Sequence, residues 1–433
     1  MTKKKLFMAV GPLVAAFLIV AILFTTDVHL PLSKKEIEFQ ATARNYTTLK
    51  GEYVRMQILS DDKYIPFYSS SEMAIFDEFH PNMLAEKYHR PYVPYIAGRD
   101  AQGALTHFLE IESTKKEHRG KKVVYIMSPN SFQSATGIPD QFYKTVHSRL
   151  EIAHWLLNIK EISTADKFAA TRLLSYDVVK KDGLLAPRIK KIEKGESLST
   201  IDTLKLELKY RTLRSEDAFF SNIKTNRFTT KKIPKENKLN GMNNYQYAKT
   251  YKMSNLPDEY NLEELDKLAI KIGKESSKNN PFGFFDVKYE KDIGKNLEKF
   301  KNSRTKTTYT HSVEYSDLQL VLKEFADLGM DPYFIFMPIE KEWGDYTGQP
   351  KSERDGVVKK IEHQLKAQGF NNFLAVDDSK PYSHVDGAHA GRQSWVEVDA
   401  VLNKFLSSPT TDKIDYKIDD YFFTEDWQKE KIN

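Results

Sequence analysis

Three serines stand in a row at Ser69, Ser70 and Ser71, directly after the apolar run YIPFY (64–68) and directly before Glu72. A serine hydroxyl becomes a useful nucleophile only when a base takes its proton, and the base is most often a histidine oriented by a carboxylate. The segment SHVDGAHAG (383–391) offers that partner, with Asp386 and His389 separated only by Gly387 and Ala388. Residues at i and i+3 share a face at a helix entrance. Asp386 can then hold one imidazole nitrogen while the other faces a hydroxyl. The chemistry this allows is acyl transfer through a serine ester, with Ser71, best placed on the turn, as the attacking group.

Rival readings exist for each part. The chain has 11 histidines, Asp77 and His80 repeat the same interval, and His384 is a neighbour of His389. His80 precedes Pro81 just past a short helix, which suits a structural role. Ser69-x-x-Glu72 also fits a capping box, in which serine and glutamate satisfy free N–H groups of a new helix. A capping serine and an attacking serine can coexist in this run.

An acyl-transfer site also needs donors for the developing oxyanion. The Ser71 backbone N–H is one candidate, Gly98 a second and the Asn130 side-chain amide a third. Gly98 and Asn130 read equally well as turn residues. Glu340 and Glu342 read as solvated loop carboxylates.

These groups sit at the ends of short apolar runs. YIPFY (64–68), PYVPYI (91–96), KKVVYIM (121–127), DPYFIFMPI (331–339) and NNFLAV (371–376) read as strands. Helical patterns at 102–113, 315–328, 353–368 and 393–406 alternate with them, which predicts a parallel sheet covered on both faces. In such sheets function collects at the carboxyl ends of the strands. Residues 28–57 read as a polar, helical connector and 58–408 as one α/β domain. Within it, about 181–310 reads as a helical, basic insertion: residues 181–240 carry fifteen Lys/Arg against eight Asp/Glu. Residues 409–433, acidic and aromatic, read as a surface extension.

The N-terminus sets the compartment. Residues 6–24 contain no charge, and Lys3, Lys4 and Lys5 precede them. A helix of that length spans about 28 Å, close to a bilayer core. The positive flank stays inside, so residues 1–27 read as a cytoplasmic tail and membrane anchor, with the rest of the chain outside the cell. A cleaved signal peptide is the competing reading; the run is long for one, and no A-x-A-like site follows closely. The 433-residue chain has no cysteine, which excludes thiolate metal sites, disulfides and cysteine nucleophiles. No Walker A, dinucleotide or H-E-x-x-H motif is present. No cofactor, metal or nucleic-acid partner is expected.

Taken together, the landmarks are familiar. An anchor, a strand with S-S-E, and F-D-x-F-H-P (Phe76, Asp77, Phe79, His80, Pro81) resemble the DltD family. So do Ser128-Pro129 with Phe132, and Pro338 followed by Trp343, Asp345, Tyr346 and Gly348. Asp386-x-x-His389-x-Gly391 with Trp395 completes the set. The resemblance implies a flavodoxin-like, SGNH-type fold with Ser71 as nucleophile, Asp386 as orienting acid and His389 as base. It also implies a D-alanyl donor, lipoteichoic acid as acceptor, and a membrane O-acyltransferase of the DltB type as partner. Ser69 stands where the family usually has glycine, and Asn130 where it usually has glutamine. Two alternatives remain open: an extracellular carbohydrate O-acetyl esterase, and a non-catalytic assembly factor whose basic region holds the polymer.

Overall fold

The five apolar runs form one sheet: β1 Tyr64–Ser69, β2 Val93–Gly98, β3 Lys122–Met127, β4 Asp331–Phe336 and β5 Phe373–Ala375. The computed structural model describes residues 8, 10–18, 31–44, 46–100, 102–229, 244–410 and 414–432. The strand order is β2-β1-β3-β4-β5 and every pairing is parallel. This is the flavodoxin-like order, whose direction of winding reverses between β1 and β3. The residues after those two strands therefore flank the crevice at the switch point.

Side chains alternate between two buried layers, as the two-residue period of a strand requires. Tyr68, Tyr125 and Phe334 enter one apolar cluster, while Phe67, Val124 and Ile335 enter the other. The first is covered by helices Ala104–Glu112, Glu314–Asp327 and Lys351–Lys366. The second is covered by Pro81–Lys87, Leu262–Ser276 and Arg392–Ser407. Burial on both faces explains why these strands read as continuous apolar runs. Pro94 is tolerated because β2 is an edge strand. Gly369, at φ +90°, turns the chain out of the helix Lys351–Lys366.

The connector breaks into helices Lys34–Thr42, Tyr46–Leu49 and Tyr53–Leu59. Between β3 and β4 the described residues form helices and turns, including Arg149–Asn158, Thr200–Thr229 and Asp286–Asp292. Two expectations need correction. The tail is not a surface extension: Phe422, Phe423 and Trp427 are buried, and Lys360 Nζ donates to the Gln428 and Glu430 carbonyls. Three large apolar rings cannot stay in water when a helix groove is open to them. Glu340 is also buried; it caps the helix Lys341–Tyr346 by accepting from the Glu342 and Trp343 N–H groups. Burial pushes its carboxyl up to about 7.

Of the anchor expected at residues 6–24, residues 6, 7, 9 and 19–24 lie outside the described residues. Residues 10–18 are helical, and no described helix is long and apolar enough to cross a membrane.

Candidate functional site

β1 ends at Ser69, and the chain turns into the short 3₁₀ segment Glu72–Ala74. Ser71 sits at its start with φ −91° and ψ −1°. That is the bridge region, common at turns and functional sites. No residue of the serine run has a positive φ, so the turn forms with serine at position 69 and needs no glycine there. The half-buried Ser71 places its Oγ 2.9 Å from His389 Nε2.

His389 arrives from the loop between β5 and the helix Arg392–Ser407. That loop folds on itself: Val385 N–H donates to the His389 carbonyl, and Gly391 N–H to the Ser383 carbonyl. Asp386 closes the inside of the turn. Its Oδ1 accepts from the Ala388 and His389 N–H groups at 3.0 Å each. Both carboxylate oxygens lie 2.9 Å from His389 Nδ1. The i, i+3 spacing therefore serves a turn rather than a helix start, and one carboxylate fixes both the backbone and the ring.

The electrostatics follow from this contact. Burial works against a charged Asp386, but His389, the nearby Lys288 ammonium and the backbone donors outweigh it and hold the carboxyl well below its usual range. Burial also disfavours a charged His389. Asp386, followed by Glu72, overcomes that penalty and raises the imidazole above its ordinary value. Lys288 lies 3.5 Å from Asp386 Oδ2 and 2.9 Å from Asp292.

The capping box expected at Ser69-x-x-Glu72 does not form. Ser69 Oγ is buried without a hydrogen-bond partner among the described residues. Glu72 accepts instead from Ser70 N–H at 2.6 Å and from the Ser128 hydroxyl at 2.7 Å. Its carboxylate ties the serine loop to the end of β3.

The other candidates stand apart. Gly98 pairs with Ser69 in the sheet, and a Cβ there would lie 2.3 Å from the Ser69 carbonyl oxygen. Close approach of two strand ends accounts for this glycine. Asn130 is exposed and its Oδ1 accepts from Gln133 Nε2. Neither makes a hydrogen bond to Ser71, His389 or Asp386 among the described residues. His384 is buried, with Nε2 donating to the Pro338 carbonyl at 2.8 Å, and burial pushes it down to about 4. His80 caps the helix Pro81–Lys87, accepting from Asn82 N–H, and Asp77 accepts from Phe79 N–H. That pair never meets as a relay.

Sequence reading missed Glu72, Ser128, Lys288 and Trp343 as parts of one site. Trp343 lies over Gly387, where a Cβ would come 2.2 Å from the indole Nε1. The family-like tryptophan was the available signal for Trp343. Lys288 had none, because its contact to Asp386 spans about a hundred residues of chain.

Fold and site together define an α/β protein of flavodoxin-like strand order, with a hydrogen-bonded Ser–His–Asp relay at the switch-point end of its sheet. The model of the family described as DltD protein matches residues 41–407, and the chain belongs to that family. It is 33% identical to Protein DltD of Lacticaseibacillus rhamnosus over 99% of this chain and 98% of that protein. It is 29% identical to Protein DltD of Bacillus subtilis, over 94% of this chain and 98% of the relative. Protein DltD of Staphylococcus aureus is 25% identical over 89% and 91% of the two chains.

Proposed function

We propose that the protein is an extracellular serine acyltransferase of teichoic acid D-alanylation, the process that membership of the DltD family implies. The observation that carries this reading is the relay itself: Ser71 Oγ, His389 Nε2 and the Asp386 carboxylate joined by contacts of 2.9 Å. His389 Nε2 takes the Ser71 proton as Oγ attacks the carbonyl carbon of the D-alanyl donor. Asp386 steadies the imidazolium. The proton then passes to the departing group, leaving D-alanine esterified to Ser71. A hydroxyl of the lipoteichoic acid backbone attacks that ester, giving its proton to His389. The ring returns the proton to Ser71 as the product leaves. Each D-alanine adds an ammonium and lowers the polymer's net negative charge.

The uncharged run at 6–24 behind Lys3, Lys4 and Lys5 supports an anchored chain with its catalytic domain outside the cell. There it would receive D-alanine from a membrane O-acyltransferase of the DltB type.

The deciding experiment treats the full-length chain with a fluorophosphonate and maps the adduct by mass spectrometry. The expected result is labelling at Ser71 that disappears in His389→Gln. In cells, Ser71→Ala should abolish D-alanine incorporation while the protein still accumulates. Undiminished cell-wall D-alanine in that strain would overturn the proposal.

A further inference from the structure

The relay is not built by the sheet alone. The helix Asp286–Asp292, from the long helical excursion between β3 and β4, is seated against it. Asp286 accepts from the Lys278 and Asn279 N–H groups at 2.9 Å each and from Asn280 Nδ2 at 2.8 Å, which fixes the start of the helix. Phe285 N–H donates to the Val385 carbonyl at 3.1 Å. The Phe285 ring is buried with Ile75 and Val385. Ile75 follows the serine loop, and Val385 precedes Asp386. One apolar contact thus locks the excursion to both halves of the relay.

We propose that Lys288, delivered by this seat, is a positioning residue for the Asp386–His389 pair and sets how readily His389 gives up its proton. His389's role as base rests on the acyl-serine reading above; the titration of its ring does not. The charged groups facing the ring come from three elements. Asp386 on its own loop and Glu72 after β1 favour the imidazolium, and Lys288 opposes it. His384, across the same loop, is kept neutral by burial. Arg392 spans the Phe285 ring and faces Asp77 and Glu78 instead. Lys288 itself lies between Asp386 and Asp292, with its side chain 20% exposed. Among the described residues it is the cation in contact with Asp386, and it shares its charge with Asp292. Without it, Asp386 and Glu72 would hold the imidazole protonated to higher pH, and a protonated ring cannot accept the serine proton.

The test is an NMR titration of the full-length chain in detergent micelles, labelled with ¹³Cε1-histidine, with His389→Gln assigning the resonance. Lys288→Met should move the His389 midpoint up by about half to one pH unit, the scale expected for removing one partly screened charge beside the ring's partner. Lys288→Arg should restore the wild-type midpoint. If Lys288→Met does not fold, Lys288→Gln takes its place, with the same upward shift expected. An unchanged midpoint in the neutral variant, or an equal shift in the arginine variant, would overturn the inference. Absence of fluorophosphonate labelling in the wild type would strike the acyl-serine reading and leave this titration to decide Lys288.

Discussion

The Ser128 hydroxyl donates to Glu72 Oε1 at 2.7 Å, so the residue after Ser71 is bolted to the end of the neighbouring strand. The other Glu72 oxygen holds the Ser70 N–H. Glu72→Ala would leave the buried Ser128 hydroxyl and the half-buried Ser70 N–H without this acceptor, and a buried donor left unsatisfied costs about 1–3 kcal/mol. We expect a lower melting temperature and slower labelling at Ser71. A variant that melts and labels like wild type would remove Glu72 from this role.

The raised proton affinity of His389 fixes the sign of the pH dependence. The working base is the neutral ring, so activity should appear as pH rises through a midpoint above the ordinary histidine value. The stability given by the His389–Asp386 ion pair runs the other way. It is fully present below the ordinary value and fades as pH climbs through the folded-state midpoint. Asp386→Asn removes the principal charge that raises the ring. The activity limb should move to lower pH, and the plateau rate should fall on the order of 10³–10⁴-fold. A pH–rate profile of labelling or of model-ester hydrolysis reads both effects.

Gly387 lies beneath Trp343, leaving no room for a side chain. Gly387→Ala should push the indole away or shift the turn that carries Asp386 and His389. The expected outcome is at least a tenfold loss of rate, since displacements of about 1 Å at reacting groups cost on the order of 10²-fold. Tryptophan fluorescence should change in parallel. Full activity would show that the loop yields elsewhere.

Trp427 is fully buried, with Nε1 donating to Gln364 Oε1 at 3.3 Å. Trp427→Ala should destabilise the domain by about 3–5 kcal/mol. Chemical denaturation measures this directly. A loss below about 1 kcal/mol would mean that the C-terminal segment is a detachable cover.

The sequence was most legible where local pattern and global position agree. Phe67, Val124 and Ile335 lie in short runs that are apolar on both sides, and such runs have few outcomes besides buried parallel strands. The meeting of Ser71, Asp386 and His389 could be anticipated because strand ends in this topology converge at one rim. The capping box failed because Glu72 found Ser128, 56 residues away, a partner that no local motif encodes. The tail was misjudged for a related reason. Its acidic residues suggest solvent, whereas its aromatic rings answer to a groove formed by helices far back in the chain.

The two margins of the sheet end quietly. β2 carries Pro94, which has no N–H to offer, and its carbonyl is already taken by the Asn82 amide at 2.6 Å. β5 is only three residues long. Neither margin is a good template for a foreign strand, which protects the fold from edge-to-edge association. Any protein or polymer that docks here must be recognised through loops and helix surfaces rather than by lengthening the sheet.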